Sequence, residues 1–187
     1  MNRIIKIVIL PFLIGFVSSI SIAYVTAPTD KAEASEPVSV SVQEVSSEPE
    51  TVVETEYILY DVPLDEATQK AAIDICSEYG LSYELILGVI SVESSFKCEA
   101  IGDGGNSFGL MQIQPKWWSK TMEENGVTNL LDPLQNIRCG CAILQELKTK
   151  YGTEYRALQT YNTGRPDTNN GYADKVYRCM SELKVLA

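Results

Sequence analysis

Apolar positions change their spacing twice along this chain. Residues 1–27 place Arg3 and Lys6 ahead of an uncharged, largely apolar run that continues to Asp30, roughly the 20 residues that cross a bilayer as a helix. Residues 28–61 hold few large apolar side chains before Tyr57. The short alternation in "PVSVSVQEV" has no pairing segment and predicts a solvated linker rather than a strand. From Val62 the spacing becomes helical and is punctuated by clear start and stop signals. Ala67, Ala71, Ile75 and Tyr79 fall four apart, behind Pro63, Asp65 and Glu66 and ahead of Gly80. Ser82 can cap a second helix whose Leu85, Ile86, Val89 and Ile90 share one face. The glycine-rich "GDGGNSFGLMQIQPKWW" predicts a tight hairpin, after which Pro115 can open another helix. In "DPLQNIRCGCAILQEL", Asp132 and Pro133 start a helix that turns Leu134, Ile137, Cys141 and Leu144 to the core. The expected architecture is an α+β, mostly helical domain with a small β-hairpin over residues 62–187, behind an N-terminal membrane segment and a disordered linker.

Charge sharpens these boundaries. The linker carries one lysine against nine acidic residues, a net −8, whereas residues 62–187 carry twelve bases against sixteen acids, a net −4. Such a composition cannot bury enough apolar surface to fold, and its self-repulsion keeps it extended. It reads as a tether. Basic residues ahead of the first apolar run predict a start inside the cell, with everything after it at the extracellular face of the membrane or in the cell wall. Ala23 and Ala27 both offer small-residue cleavage sites, but the run is long for a signal peptide and Pro28 follows Ala27 directly. Both a retained anchor and a cleaved signal peptide fit.

Composition removes several function classes. The chain has no histidine, which excludes Ser-His-Asp hydrolases, Cys-His proteases and H-E-x-x-H zinc enzymes. An overall charge of −10 argues against nucleic acid, whose phosphates need clustered Lys and Arg. The cysteines are Cys76, Cys98, Cys139, Cys141 and Cys179. Outside the membrane, disulfide pairing is expected, although Cys139 and Cys141 point in nearly opposite directions on one helix and should not pair with each other. Without C-x-x-C spacing or histidine they do not suggest a metal site.

Glu93 is the residue that the helical pattern does not explain. It follows Val89 by four and Ile90 by three, so its carboxylate falls on the apolar stripe. It can be a solvated charge at a frayed end, a partner for Lys97 at i+4, or a functional acid whose proton is retained because burial disfavours the ionised form. The hairpin supplies context. Asp103, Asn106, Ser107 and Gln112 can form one wall of a cleft whose other wall is the end of the Glu93 helix.

The strings "VESSF", "SFGLMQIQP", "DPLQNIRCGCAILQEL", "ALQTYNTG" and "YADKV" occur in that order with ordinary spacings. Together they resemble the soluble lytic transglycosylase family over Leu64 to Leu183, which implies a lysozyme-like fold. The resemblance also implies cleavage of the β-1,4 bond between N-acetylmuramic acid and N-acetylglucosamine in peptidoglycan glycan strands. Glu93 matches the catalytic glutamate of that family, acting first as acid on the glycosidic oxygen and then as base on the muramoyl C6 hydroxyl. No metal or cofactor is implied. Gln112 and Tyr161 match family cleft positions, and Asn162 and Gly164 keep the backbone open after Tyr161. Trp117 and Trp118 either stack against sugars or pack.

Asp103 departs from the family pattern, which commonly has serine near this place. It is either a turn residue bonding nearby backbone or a second carboxyl able to activate water, as in an inverting hydrolase. Hydrolysis of the same bond, as in goose-type lysozymes, is therefore the alternative chemistry. A non-cutting peptidoglycan-binding module of a secretion or conjugation apparatus is the alternative of another class. Glu93 on an apolar face speaks against it.

Overall fold

The computed structural model describes residues 56–167 and 169–186. The expected membrane segment and most of the expected linker lie outside the described residues. Helix α1 spans Glu66–Glu78, α2 Tyr83–Ser94, α3 Pro115–Glu124, α4 Pro133–Tyr151, α5 Glu154–Thr163 and α6 Tyr172–Ser181, while strands β1 (Ile101–Gly102) and β2 (Ser107–Phe108) lie between α2 and α3. The strands pair antiparallel, with Ile101 opposite Phe108 and Gly102 opposite Ser107. The class is α+β and mostly helical, with the small hairpin in its expected place.

Local chemistry sets the helix starts. Asp65, Ser82 and Asp132 accept from the backbone N–H groups of Thr68, Leu85 and Gln135, and proline occupies the first turn of α3 and α4. The stripe of α1 is rotated from the expected one. Its buried residues are Gln69, Ala72, Ile75 and Cys76, while Ala67 is exposed and Ala71 only half-buried. The reason is a polar one. Gln69 Nε2 donates to the carbonyls of Tyr60 and Leu64, and its Oε1 accepts from Tyr60 N–H at 2.9 Å, so the amide seals backbone that lies against the helix.

That contact also moves the expected domain start at Val62. Tyr60 is buried, bridges to Val185 in antiparallel fashion, and is followed by Asp61 N–H donating to Lys184 O. The folded unit therefore includes residues just before Val62, because the strap they form closes against the C-terminal segment.

Helix α2 is the centre of the core, with Leu85, Ile86, Leu87, Val89 and Ile90 all fully buried. Gly88 interrupts this run for a packing reason. A Cβ there would lie 2.7 Å from Met180 Cγ and 2.9 Å from the Val176 carbonyl, so glycine lets α6 approach α2 backbone to backbone. Five residues forward along α2 and four back along α6, Glu93 and Tyr172 meet through a hydrogen bond. The two helices run antiparallel, and their close approach positions the site.

Helix α4 supplies the floor. Ile137, Cys141 and Leu144 are buried as expected, with Leu134 packed partly buried beside them. All five cysteines are free thiols, against the expected pairing. Cys76, Cys139 and Cys141 are buried, and burial pushes the Cys139 thiol up to about 12, which makes it a poor thiolate nucleophile.

Candidate active site

Glu93 stands one residue before the end of α2. Ser95 and Phe96, both with positive φ (51° and 64°), then stop the helix and turn the chain towards the hairpin. Two consecutive non-glycine residues in this region carry backbone strain. Among the described residues Glu93 makes no ion pair with Lys97, which lies beyond the helix end. Tyr172 donates to Glu93 Oε1 at 2.6 Å. Burial holds the Glu93 pKa above the usual carboxylate value, and the Tyr172 hydrogen bond partly opposes that rise. The Tyr172 hydroxyl is itself buried beside this carboxylate, which drives its pKa up and keeps it a donor. Burial does the same for Tyr161, whose hydroxyl lies near Glu93.

A cleft of about 760 Å³ opens beside Glu93 and is lined by Asp103, Ser107, Gln112, Tyr161 and Asn162 among others. Of the residues expected at the site, Glu93, Asp103, Ser107, Gln112, Tyr161 and Asn162 are gathered in one place, while Asn106 is not. Their roles differ. Ser107 is buried, and its Oγ accepts from Gln114 Nε2 at 3.0 Å. The same Gln114 nitrogen donates to Asp103 Oδ2 at 2.9 Å, so the exposed Asp103 bonds a side chain across the hairpin rather than nearby backbone. Asn106 instead donates to the Asp103 carbonyl and lies outside the cleft lining. Gln112 Nε2 donates to the carbonyls of Ala100 and Gly109, which ties its amide to the hairpin. Asn162 accepts from Asn170.

The turn that carries Gln112 is wired from beneath. Phe108 and Ile113 exchange both backbone hydrogen bonds around Gly109–Gln112. Asn136, fully buried on α4, accepts from Met111 N–H at 2.8 Å and donates to the carbonyls of Phe108 and Leu130. A side chain at Gly109, whose φ is +74°, would collide with Asn136 and the Leu130 carbonyl. Met111 in turn seats its sulfur over Gly140, where a Cβ would displace it. Tyr161 completes the linkage, donating from α5 to the Met111 carbonyl at 2.7 Å.

Two indole rings also border the cleft. Trp118 is half-buried against the core, whereas Trp117 is 68% exposed with Lys116 Nζ 4.8 Å from its ring centroid. Both line the cleft. One packs against the core and the other is exposed to solvent. Among the described residues no group of three or more His, Cys, Asp or Glu is placed to hold a metal ion.

The Transglycosylase SLT domain model matches residues 70–176, spanning α2, the hairpin and the first half of α6. The chain belongs to the SLT family. Among curated relatives, it is 38% identical over 112 residues to a transglycosylase of Enterobacteria phage PRD1, covering 59% of this chain and 40% of that protein. It is 30% identical over 119 residues to the invasion protein IagB of Salmonella typhi, covering 58% and 74%. With membrane-bound lytic murein transglycosylase C of Mannheimia succiniciproducens it shares 32% identity over 128 residues, covering 57% and 36%. The chain thus spans less than half the length of the phage and membrane-bound relatives.

Tyr172, Gln114 and Asn136, which support Glu93 and the hairpin, and Lys150 and Tyr151 in the cleft lining are not singled out by the sequence reading. Tyr172 precedes "ADKV" and Gln114 precedes Pro115, inside strings already recognised, but nothing local marks either as a partner of a carboxyl group.

Proposed function

We propose that this protein is a peptidoglycan lytic transglycosylase that cleaves the bond between N-acetylmuramic acid and N-acetylglucosamine and leaves 1,6-anhydromuramoyl ends. The observation that carries the reading is a single desolvated carboxyl, Glu93, held from behind by Tyr172 at the edge of a cleft lined by polar groups and indole rings. Because Tyr172 occupies Oε1, the retained proton belongs on Oε2. From there it passes to the glycosidic oxygen as the C1–O bond breaks and positive charge develops on the muramoyl ring. Glu93 is then a carboxylate, stabilised by the Tyr172 donor. It takes the proton of the muramoyl C6 hydroxyl as that oxygen bonds C1, and the starting protonation state returns without water being consumed. One carboxyl serves both steps because the leaving oxygen, which departs with N-acetylglucosamine, and the attacking C6 hydroxyl of the muramoyl ring meet the same anomeric carbon from the same face.

Gln112, Tyr161, Asn162 and Ser107 shape the cleft that holds the strand in register, and Trp117 presents a face for a sugar ring. The apolar N-terminal run, together with the membrane-bound relative, supports action at the outer face of the cell membrane.

Hydrolysis is the second reading, favoured by one observation: Asp103 lines the same cleft as Glu93. Mass spectrometry of muropeptides released from purified wall separates the two, since reducing ends are one water heavier than anhydro ends. Anhydro ends as primary products are expected. Glu93→Gln should remove cutting altogether, at least the ~10²–10⁴-fold owed to proton transfer, while the protein still unfolds cooperatively. Near-normal release by that variant would take Glu93 out of the mechanism.

A further inference from the structure

We propose that Lys150 binds a carboxylate carried by the muramoyl substituent, so that the domain distinguishes strands by the charge hung from the sugar as well as by the sugar itself. The inference rests on the peptidoglycan substrate argued above. Lys150 stands in the last turn of α4 and lines the same cleft as Glu93. Two residues earlier, Lys148 is engaged, its Nζ 3.9 Å from Glu154. Lys150 joins no ion pair among the described residues; its Nζ lies 5.3 Å from the centroid of the Tyr151 ring, and Tyr151 also lines the cleft. The other acidic or basic side chains in that lining are Glu93 and Asp103.

The β-1,4 glycan has no charge of its own. Its anionic groups come from the lactyl ether of muramic acid, either as the free carboxylate or, once that is amidated, as the carboxylates of the attached peptide. A domain with sixteen acids and twelve bases after Val62 repels such groups at long range, so attraction has to be local, within the ~8 Å over which physiological salt screens charge. Lys150 supplies a cation in a wall that is otherwise neutral or acidic, beside a ring that steadies the ammonium. An exposed ion pair of this kind changes affinity by up to about 5-fold, enough to set a preference among strands. A lysine at a helix C-terminus also answers the helix dipole, but that role does not depend on the charge of the substrate.

The test compares the wild type, Lys150→Met and Lys150→Arg on three strands: peptide-bearing, amidase-stripped with free lactyl carboxylates, and stripped with those carboxylates converted to amides. Lys150→Met should raise KM several-fold on a carboxylate-bearing strand with little change in kcat, and Lys150→Arg should restore it. The penalty should shrink at least threefold on the amidated strand. Whichever of the first two strands shows the larger penalty identifies the lactyl or the peptide carboxylate as the partner. An equal penalty on all three strands, or none on any, would overturn the proposal. Binding of Glu93→Gln and Glu93→Gln/Lys150→Met to the same strands by co-sedimentation reads Lys150 without turnover. A failure of the transglycosylase reading, seen as reducing ends or no products from the wild type, is thereby separated from a failure of this one.

Discussion

Glu93 and the Gly109–Gln112 turn border one cleft, yet different physics holds each in place. Glu93 rides on α2, which is fixed by close packing: Gly88 lets α6 approach the helix axis, and Tyr172 is carried to the carboxyl by that approach. The turn has no regular element of its own. It is fixed by hydrogen bonds from one buried amide, Asn136, and by positive φ at Gly109 and Gln112. The acid therefore depends on apolar surfaces meeting, and the opposing backbone on polar groups being satisfied. Tyr161 stands near Glu93 and bonds the Met111 carbonyl, so the two supports come together at one ring.

The largest expected effect comes from breaking the polar support. Asn136→Ala leaves the Met111 N–H and the Leu130 carbonyl without their partner, while the Phe108 carbonyl keeps the Ile113 N–H, and each buried group left unpaired costs ~1–3 kcal/mol. A loss of about 2–6 kcal/mol is expected in urea unfolding, with cutting reduced even where the protein remains folded. A variant as stable as the wild type would mean that the turn holds itself.

Breaking the packed support should cost less in stability and more specifically in activity. In Gly88→Ala the new methyl meets Met180, which can yield, and the Val176 carbonyl, which cannot. Overpacking of this kind costs ~1–3 kcal/mol. The larger consequence is that α6 moves away and Tyr172 with it, lowering kcat by up to about 100-fold for a displacement near 1 Å. Unchanged kcat in a measurably destabilised Gly88→Ala would uncouple the α2–α6 spacing from the carboxyl.

How legible each support was in the sequence follows from its physics. The caps at Ser82 and Asp132 and the prolines of α3 and α4 act within a few residues and are legible in place, as is Asp65 among the residues that begin α1. Glu93 stood out because an acid on an apolar stripe is a local contradiction. The phase of α1 was misread because a four-residue alanine spacing outweighed Gln69, whose burial makes sense only once the Tyr60 strap is present. Asn136 was read as part of a structural helix, which is correct, but its partners lie 25 and 28 residues earlier in the hairpin region. Tyr172 lies 79 residues from Glu93. Gly88 in a helix reads locally as a weakness, and its value appears only when a second helix crosses it.

Removing the Tyr172 hydroxyl sharpens the comparison further, since it touches the carboxyl without disturbing the packing. The hydrogen bond lowers the Glu93 pKa against the rise caused by burial. In Tyr172→Phe the carboxyl should hold its proton to still higher pH, and the alkaline limb of the kcat profile should move up. Turnover at neutral pH should fall about 10-fold as the carboxylate formed in the first step loses its donor. An alkaline limb that stays put would show that it reports another group. Stability provides an independent reading. Native Glu93 binds its proton more tightly than the unfolded chain does, so the wild type loses stability as pH rises from the ordinary carboxylate value through the raised one. Glu93→Gln should escape that loss, being the more stable form above this window and no more stable below it.

Asp103 should give the smallest effect, and that smallness is what decides between the two chemistries. Its Oδ2 accepts from Gln114 Nε2, which also donates to Ser107. An asparagine in the same place can present its carbonyl oxygen to the same donor, so Asp103→Asn should preserve the link between the hairpin and the start of α3. If Glu93 works alone, the substitution changes the rate by about two- to threefold, the size of one exposed hydrogen bond, and the products keep their anhydro ends. If Asp103 activates water, the amide cannot take the proton, turnover falls by ~10²–10⁴-fold, and the wild-type products are reducing ends. Rate and product identity are read from the same digest, so they cannot disagree without exposing an error in the premise. A large loss with anhydro ends retained would mean that Asp103 positions the strand through Gln114, which Gln114→Glu, placing a like charge against Asp103 and removing the donor, should reproduce.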